Sequence, residues 1–149
     1  MATDNEPTDY ELHAALVDAI RRGEVAVEVD FACINRNNVP GFRTTDFIVP
    51  PLVIVVLSGY VTLQFSALWG TALFVAGVAG YFLIVRPRAR VATIERVRAL
   101  ALTHLEAWNA VWQNGGYRLT LAANPDIRIV GPHDDWRVFT RRHFLPAHD

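Results

Sequence analysis

The chain has 149 residues and a formal net charge of −1, which excludes the basic excess typical of nucleic-acid-binding proteins. Its hydrophobic share of 52% is high for a soluble domain. Cys33 is the only cysteine, which excludes an intrachain disulfide and a thiolate zinc site. We therefore predict no nucleic-acid partner and no bound metal or cofactor, and we expect Cys33 to be a small apolar residue in a strand.

The N-terminal part, residues 1–46, is polar and predicts a helix followed by a strand in the cytoplasm. Thr8 begins a Thr-x-x-Glu capping box, so we expect a helix over about Asp9–Arg22. Polar and apolar residues then alternate over Glu24–Phe31, a pattern typical of a half-buried strand. An asparagine-rich loop is predicted at residues 35–38.

The next 39 residues, Phe47–Val85, contain no Asp, Glu, Lys, Arg or His. A helix needs about 20 apolar residues to cross a bilayer core of about 30 Å, so this run is too long for one crossing and fits two. Its weakest apolar point, Gln64–Ser66, predicts one helix over about 50–65 and a second over about 68–85. Pro50 favours the start of the first helix, because the first turn needs no N–H donor. We expect an antiparallel transmembrane hairpin.

Small residues recur every four positions along both predicted helices, and close helix packing in lipid depends on such residues. We predict that the two stripes face each other across the hairpin, with Thr62 near Ala72 and Ser58 near Ala76. The stripes comprise Ser58, Thr62 and Ser66 in the first helix, and Ala72, Ala76 and Gly80 in the second.

Arginines flank the apolar run on both sides, whereas the predicted bend carries no charge. Arg36 and Arg43 precede the first helix, and five arginines follow the second. The positive-inside rule then places both termini in the cytoplasm of a multi-pass protein of the bacterial inner membrane. The cluster can also contact anionic lipid headgroups as a consequence of this topology. It consists of Arg86, Arg88, Arg90, Arg96 and Arg98.

Residues 86–149 predict a second cytoplasmic segment with a long helix over about 90–113 and short strands after it. We expect the apolar stripe of this helix to pack on the protein's own strands. The alternatives are that it binds a partner helix or lies along the membrane surface. Trp108 and Trp112 on the stripe are the candidate partner interface. The predicted strands are Tyr117–Ala122, Ile127–Val130 and Trp136–Thr140, with turns at 124–126 and 131–135. The expected fold is therefore a transmembrane α-helical hairpin with a small cytoplasmic α+β part of two helices and about four short antiparallel strands.

The sequence predicts no enzyme site. It contains no glycine-rich phosphate loop, no G-x-S-x-G motif and no H-E-x-x-H motif. His133, Asp134 and Asp135 lie next to each other in a Gly-Pro turn, where adjacent side chains rarely converge on one ion. Proton and ion pathways normally use ionisable residues inside the membrane, and the apolar run has no Asp, Glu, Lys, Arg or His. We therefore expect no catalysis and no small-molecule substrate.

The middle of the chain resembles a known family in the order of its features along the sequence. The stretch Gly41–Pro50 leads into a tight hairpin with Trp69, which continues through Tyr81–Phe82 to Arg96–Leu100. Over roughly Phe42–Ala101 this is similar to the IcmT/TraK type of small inner-membrane subunit of type IV secretion and conjugation systems. The resemblance implies a scaffolding role at the inner-membrane platform of a secretion channel.

Three functions are compatible with this architecture. The favoured one is a non-enzymatic structural subunit that binds other inner-membrane proteins or further copies of itself, and it predicts co-purification in mild detergent. A membrane-tethered sensor or regulator, whose cytoplasmic sheet binds a ligand or partner, predicts ligand-dependent thermal shifts. A holin-like pore-former predicts abrupt lethality on expression.

Overall fold

The computed structural model describes residues 6–36 and 39–145. The chain is mostly helical, with a small three-stranded antiparallel sheet. It forms two compact units: Gly41–Arg96, here called the hairpin unit, and the residues on both sides of it, here called the module. In chain order the elements are α1 (Asp9–Arg21), β1 (Val25–Val29), α2 (Phe31–Arg36), α3 (Thr45–Gln64), α4 (Ala67–Gly80), a π-helical turn (Tyr81–Val85), α5 (Arg86–Thr103), α6 (Leu105–Gln113), β2 (Tyr117–Leu121), β3 (Asn124–Val130) and α7 (Trp136–Phe144).

The first helix of the module begins as its sequence predicts. The Thr8 hydroxyl accepts a hydrogen bond from the Glu11 N–H at 3.3 Å. In return, the Glu11 carboxylate accepts one from the Thr8 N–H at 2.7 Å. These bonds satisfy two N–H groups that have no partner within a helix, so the capping box is confirmed. Leu12 and Leu16 on one face of α1 are buried, which fixes the side of the helix that packs inward.

The sheet has the order β1-β2-β3, and both pairs of strands are antiparallel. Alternation along the strands separates two faces, as the sequence predicts. Val25, Tyr117 and Leu119 are buried on the inner face. On the outer face Glu28 lies opposite Arg118, and their side chains form an ion pair at 3.2 Å.

Two N-terminal predictions are wrong. Phe31 and Cys33 are helical, because the strand ends at Val29 and α2 follows. The Asp30 carboxylate accepts a hydrogen bond from the Ala32 N–H at 2.8 Å, which stabilises the first turn of α2. The predicted loop at 35–38 is helical at its first two residues, and positions 37 and 38 lie outside the described residues.

The predicted long helix is interrupted. α5 ends at Thr103 and α6 begins at Leu105, since His104 has extended backbone angles, φ −130° and ψ 120°. The periodic stripe of apolar residues continues through this break, so the sequence pattern alone does not reveal it. The stripe packs inward as expected, and Val97 and Ala101 are fully buried.

The predicted strand Trp136–Thr140 is instead part of helix α7, so the sheet has three strands and not four. The Asp135 side chain accepts a hydrogen bond from the Arg137 N–H at 2.9 Å and caps the helix. Trp136, Phe139 and Thr140 are buried, at the i, i+3, i+4 spacing of one helix face. The predicted turn at 124–126 belongs to β3, and the turn lies at residues 122–123 instead.

The hairpin unit contains two helices long and apolar enough to cross a membrane, joined by a two-residue turn. α3 begins at Thr45, five residues before Pro50, so Phe47–Val49 is helical and not extended. At 1.5 Å per residue, the 20 residues of α3 extend about 30 Å. The second helix does not stop at Pro87 but continues through the π-helical turn to Thr103.

Candidate functional site

The two apolar helices of the hairpin unit approach most closely at two glycines of α4. A Cβ at Gly70 would overlap the Thr62 hydroxyl and would lie 2.9 Å from the Ser58 carbonyl oxygen. A Cβ at Gly77 would lie 2.7 Å from a methyl group of Ile54. Since positions 70 and 77 are two turns apart, they share one face of α4. Only residues without a side chain allow the helix backbones to come this close.

This geometry corrects the predicted packing stripe on the second helix. Ser58 is 5% exposed at the interface, in agreement with its predicted place. Ala72 and Ala76, in contrast, are exposed, and a Cβ on Gly80 would meet no atom within 4 Å. The stripe 72-76-80 is turned away from α3, because the inward face follows the glycines and not the alanines. Ser66 is exposed in the turn.

Two hydroxyl groups satisfy helical carbonyls inside the hairpin. Thr62 donates to the Ser58 carbonyl at 2.9 Å, so its side chain stays within its own helix. Tyr81 donates to the Phe47 carbonyl at 3.1 Å and thereby links the two helices. The residue four positions after Phe47 is Pro51, which has no N–H to offer that carbonyl. Tyr81 therefore supplies a donor that the proline lacks.

The open ends of the hairpin are joined by an ion pair. The Arg96 guanidinium lies 3.0 Å from the Asp46 carboxylate, and their side chains are 37% and 31% exposed. Asp46 is in the first turn of α3, where a negative charge also interacts favourably with the helix dipole. Arg96 is thus engaged within the hairpin unit by an acidic side chain.

A π-helical turn, Tyr81–Val85, lies where the apolar run ends. The Arg86 N–H donates to the Tyr81 carbonyl, five residues earlier, instead of to the usual fourth. Pro87 follows directly, and its ring would clash with the carbonyl of a regular preceding turn. The wider turn accommodates the proline, and the helix continues without a break.

The arginines that follow this turn are solvent-exposed at the start of α5. Arg86, Arg88 and Arg90 are exposed in the hairpin unit, whereas Arg98 is exposed in the module. The Arg86 guanidinium carbon lies 5.5 Å from the centre of the Phe82 ring, one turn back toward the apolar run. This cation–π contact directs the charge toward the end of the apolar helix.

The module is built around an aromatic cluster of Trp108, Trp112, Tyr117 and Trp136. The Trp108 ring stacks on Tyr117 with centroids 4.8 Å apart, and Trp112 lies parallel to it at 6.2 Å. Trp136 of α7 meets Trp108 edge-on at 6.1 Å. Trp108 is fully buried and Trp112 is 5% exposed, so the prediction that these two form a partner interface is wrong. Their stripe instead packs on the protein's own sheet and C-terminal helix.

His13 of α1 belongs to this cluster, although sequence analysis did not single it out. Its ring lies 5.7 Å from Trp108 and 6.3 Å from Trp136, and its Nε2 is 3.0 Å from the Ala101 carbonyl. Ala101 is in the last turn of α5, where carbonyls lose their helical donors once the helix breaks at His104. Its burial could have been predicted from helical spacing, since position 13 shares the apolar face of α1.

Burial is the main influence on the ionisation of His13 and Tyr117. Burial lowers the pKa of His13, and the hydrogen bond to Ala101 opposes this shift. Burial likewise raises the pKa of the Tyr117 hydroxyl, against the opposing charge of Arg98. Among the described residues, the Tyr117 hydroxyl and the Trp108 indole N–H have no hydrogen-bond partner. The neutral forms of both ionisable groups are therefore favoured in the core.

An open groove lies beside His13 at the break between α5 and α6. Its volume is about 490 Å³. Tyr10 and His13 line one side, and His104 and Glu106 line the other. Within residues 6–36 and 39–145, no three His, Cys, Asp or Glu side chains come together in a metal-binding arrangement. The groove thus combines aromatic, imidazole and carboxylate groups at the surface of the module.

Comparison with known proteins gives no relative from which a role can be transferred. The sequence matches no family model, and no significant match was found among curated proteins or solved structures.

Proposed function

We propose that the hairpin unit is a double-pass anchor in the bacterial inner membrane, and that both termini are cytoplasmic. The chain would then be a non-enzymatic structural subunit of a multiprotein assembly in that membrane. The observation that carries the proposal is a pair of antiparallel apolar helices whose side chains are almost all exposed. In each helix only 6% of the most apolar 18-residue window is buried, whereas a core helix of a soluble protein is mostly buried.

Exposed apolar surface on this scale favours a lipid environment. Each large apolar side chain gains about 1.5–3 kcal/mol when it leaves water. Among many others, Leu57 is 51% exposed, Leu63 85% and Leu83 77%. Backbone polar groups need internal partners in hydrocarbon, and Tyr81 supplies one to the Phe47 carbonyl, which Pro51 leaves without a helical donor. The length of α3, about 30 Å, matches the hydrocarbon core without thinning of the bilayer.

The distribution of charge supports the orientation. Arg43 precedes α3, and Arg86, Arg88 and Arg90 follow the apolar part of the second helix. The turn at residues 65–66 and the residues around it carry no charge. Positive residues are retained on the cytoplasmic side during insertion, so the turn is expected on the periplasmic side.

The structural role rests on the combination of an anchor with a folded α+β module. Directly after the hairpin unit, the chain continues into residues of the module. Such an arrangement displays the module to other inner-membrane proteins or to further copies of the chain. The resemblance of the middle region to IcmT/TraK-type subunits supports a type IV secretion or conjugation system as the assembly.

Site-directed cysteine labelling tests the anchor and its orientation. In a Cys33→Ala background, Ser66→Cys places a thiol in the turn and Asp18→Cys places one on an exposed position of α1. A membrane-impermeant maleimide applied to spheroplasts should label position 66, and it should label position 18 only after the cells are lysed. The reverse pattern would overturn the orientation. Release of the chain by alkaline carbonate would overturn the anchor itself.

A separate measurement, the molar mass of the protein in detergent, tests the proposed assembly role. Light scattering of the chain purified in a mild detergent should give a protein mass well above the 16.7 kDa of one copy. Chemical cross-linking in membranes should yield a defined larger species. A strictly monomeric chain that forms no cross-linked species would contradict the structural-subunit role without affecting the anchor.

The groove beside His13 favours a second candidate, a membrane-tethered sensor or regulator. Its lining includes four residues with side chains able to form hydrogen bonds, Tyr10, His13, His104 and Glu106. A small polar ligand bound there would raise the thermal stability of the module, since only the folded state binds it. A thermal-shift screen should then give hits that are lost in His104→Ala. Hits that survive this substitution would argue against the groove.

A further inference from the structure

The near-neutral net charge of the chain conceals a separation of charge between its two units. Within Gly41–Arg96 there are five arginines and two acidic residues, a net charge of 5 − 2 = +3. The remaining residues carry nine arginines and 13 acidic residues, a net charge of 9 − 13 = −4. The hairpin unit is therefore cationic although the whole chain is not.

The positive charge of the hairpin unit is concentrated at one place. Asp46 is already paired with Arg96 at 3.0 Å, and the next acidic residue in the sequence is Glu95. Between them, 48 residues contain no Asp or Glu, and the only charged residues are three arginines. All three are exposed in the first two turns of α5, directly after the apolar run. We name Arg86, Arg88 and Arg90 the arginine collar.

The arginine collar lies directly after the apolar segment in α5. The Arg86 guanidinium rests over Phe82, one turn back toward the apolar segment, and therefore lies at the boundary of that segment. Arg90 is one helical turn beyond Arg86 on the same side, and Arg88 lies on the opposite side of the helix. The three arginines thus occupy two opposite sides of the helix directly after the apolar region.

We propose that the arginine collar binds the phosphodiester headgroups of anionic phospholipids; this rests on the proposed membrane anchor. A guanidinium group presents a planar fork of N–H donors that binds two phosphate oxygens at once. Each arginine near an anionic surface strengthens attachment by a factor of about five, so three give a preference on the order of 100-fold over a zwitterionic lipid.

Native mass spectrometry of the full chain in an uncharged detergent tests this proposal. Phosphatidylglycerol and phosphatidylcholine with identical acyl chains are titrated in parallel, and the bound lipids are counted. The wild-type chain should prefer phosphatidylglycerol, whereas R86Q/R88Q/R90Q should bind both lipids equally. The matched control R21Q/R128Q/R142Q removes three exposed arginines from the module and should keep the preference.

Three further measurements separate the possible causes. R86K/R88K/R90K keeps the charge without the fork and should show an intermediate preference, which provides a test even if the glutamine variant folds poorly. Soluble glycerol phosphate at the same concentration should not displace the lipid, and displacement would indicate a phosphate site instead. Insertion into phosphatidylcholine nanodiscs reports on the anchor alone. Equal binding of both lipids by an inserted wild-type chain would overturn the arginine collar and leave the anchor intact.

Discussion

Substitution of the hairpin glycines by alanine tests the packing of the two apolar helices directly. A methyl group at Gly70 would overlap the Thr62 hydroxyl and press on the Ser58 carbonyl oxygen, a backbone atom that cannot rotate away. Such overpacking typically costs about 1–3 kcal/mol. At Gly77 the nearest atom is the Cγ2 methyl group of Ile54, at 2.7 Å, and no backbone atom is among the nearest neighbours, so a smaller loss of stability is expected.

Gly59 provides a matched control within the same hairpin. A Cβ at this position meets no atom within 4 Å, and the residue lies in the interior of α3. Alanine there should be neutral or stabilising by roughly 0.5–1 kcal/mol, because glycine costs that much inside a helix. The expected order of stability is Gly59→Ala, then Gly77→Ala, and last Gly70→Ala.

Unfolding in mixed micelles with increasing dodecyl sulfate, followed by circular dichroism, measures this order. Thr62→Ala removes the hydroxyl that a methyl group at position 70 would meet. The double variant G70A/T62A should therefore lose less unfolding free energy than the two single variants lose in sum. Equal stability of Gly70→Ala and Gly59→Ala would refute the close approach of the helices. Strict additivity of the double variant would show that Thr62 does not face Gly70.

Three other substitutions test contacts in the two units. Tyr81→Phe removes the hydrogen bond to the Phe47 carbonyl and should lower the free energy of unfolding by about 0.5–1.5 kcal/mol in the same assay. An unchanged free energy would contradict the donor role of Tyr81. Burial lowers the pKa of His13, so its contribution to stability should be complete above the unfolded-state pKa near 6.5 and should be lost as the pH falls below that value. In His13→Gln, the thermal unfolding midpoint should therefore depend less on pH between pH 7.5 and 5. An unchanged pH dependence would exclude His13 as its cause. Asp135→Ala removes the cap that accepts from the Arg137 N–H and should lower thermal stability by roughly 0.5–2 kcal/mol, whereas no change would deny its capping role.

Much of the fold follows from patterns that are local in the sequence. The capping box at Thr8 fixes the start of α1, since both partners are three residues apart. The uncharged run Phe47–Val85 contains the two long apolar helices and a break near its middle. Alternation along β1 predicts a half-buried strand, and its residues alternate in burial as expected. Each of these features depends on neighbours within a few positions, so the residues themselves specify it.

Local patterns were insufficient where two structures fit the same residues. Trp136–Thr140 is rich in aromatic and β-branched residues, which favour a strand, and it also has the i, i+3, i+4 spacing of one helix face. The Asp135 cap and packing of Trp136 against Trp108 stabilise the helical form. Pro50 is tolerated five residues inside α3, where sequence alone predicts a start. Tyr81, 34 residues after Phe47, donates to the Phe47 carbonyl, which the next proline, Pro51, leaves without a helical donor.

Residue patterns alone were enough to predict an apolar hairpin between polar segments and a small antiparallel sheet. The packed faces became visible only in the folded chain: Gly70 and Gly77 line the helix interface in place of Ala72 and Ala76, and Trp108 lies in the core in place of a partner interface. It also placed His13 against Ala101 at the break in the long helix. These features differ in how far apart along the sequence the interacting residues lie. Periodicity and capping act between residues a few positions apart, whereas close approach and burial depend on pairs of residues that only folding brings together.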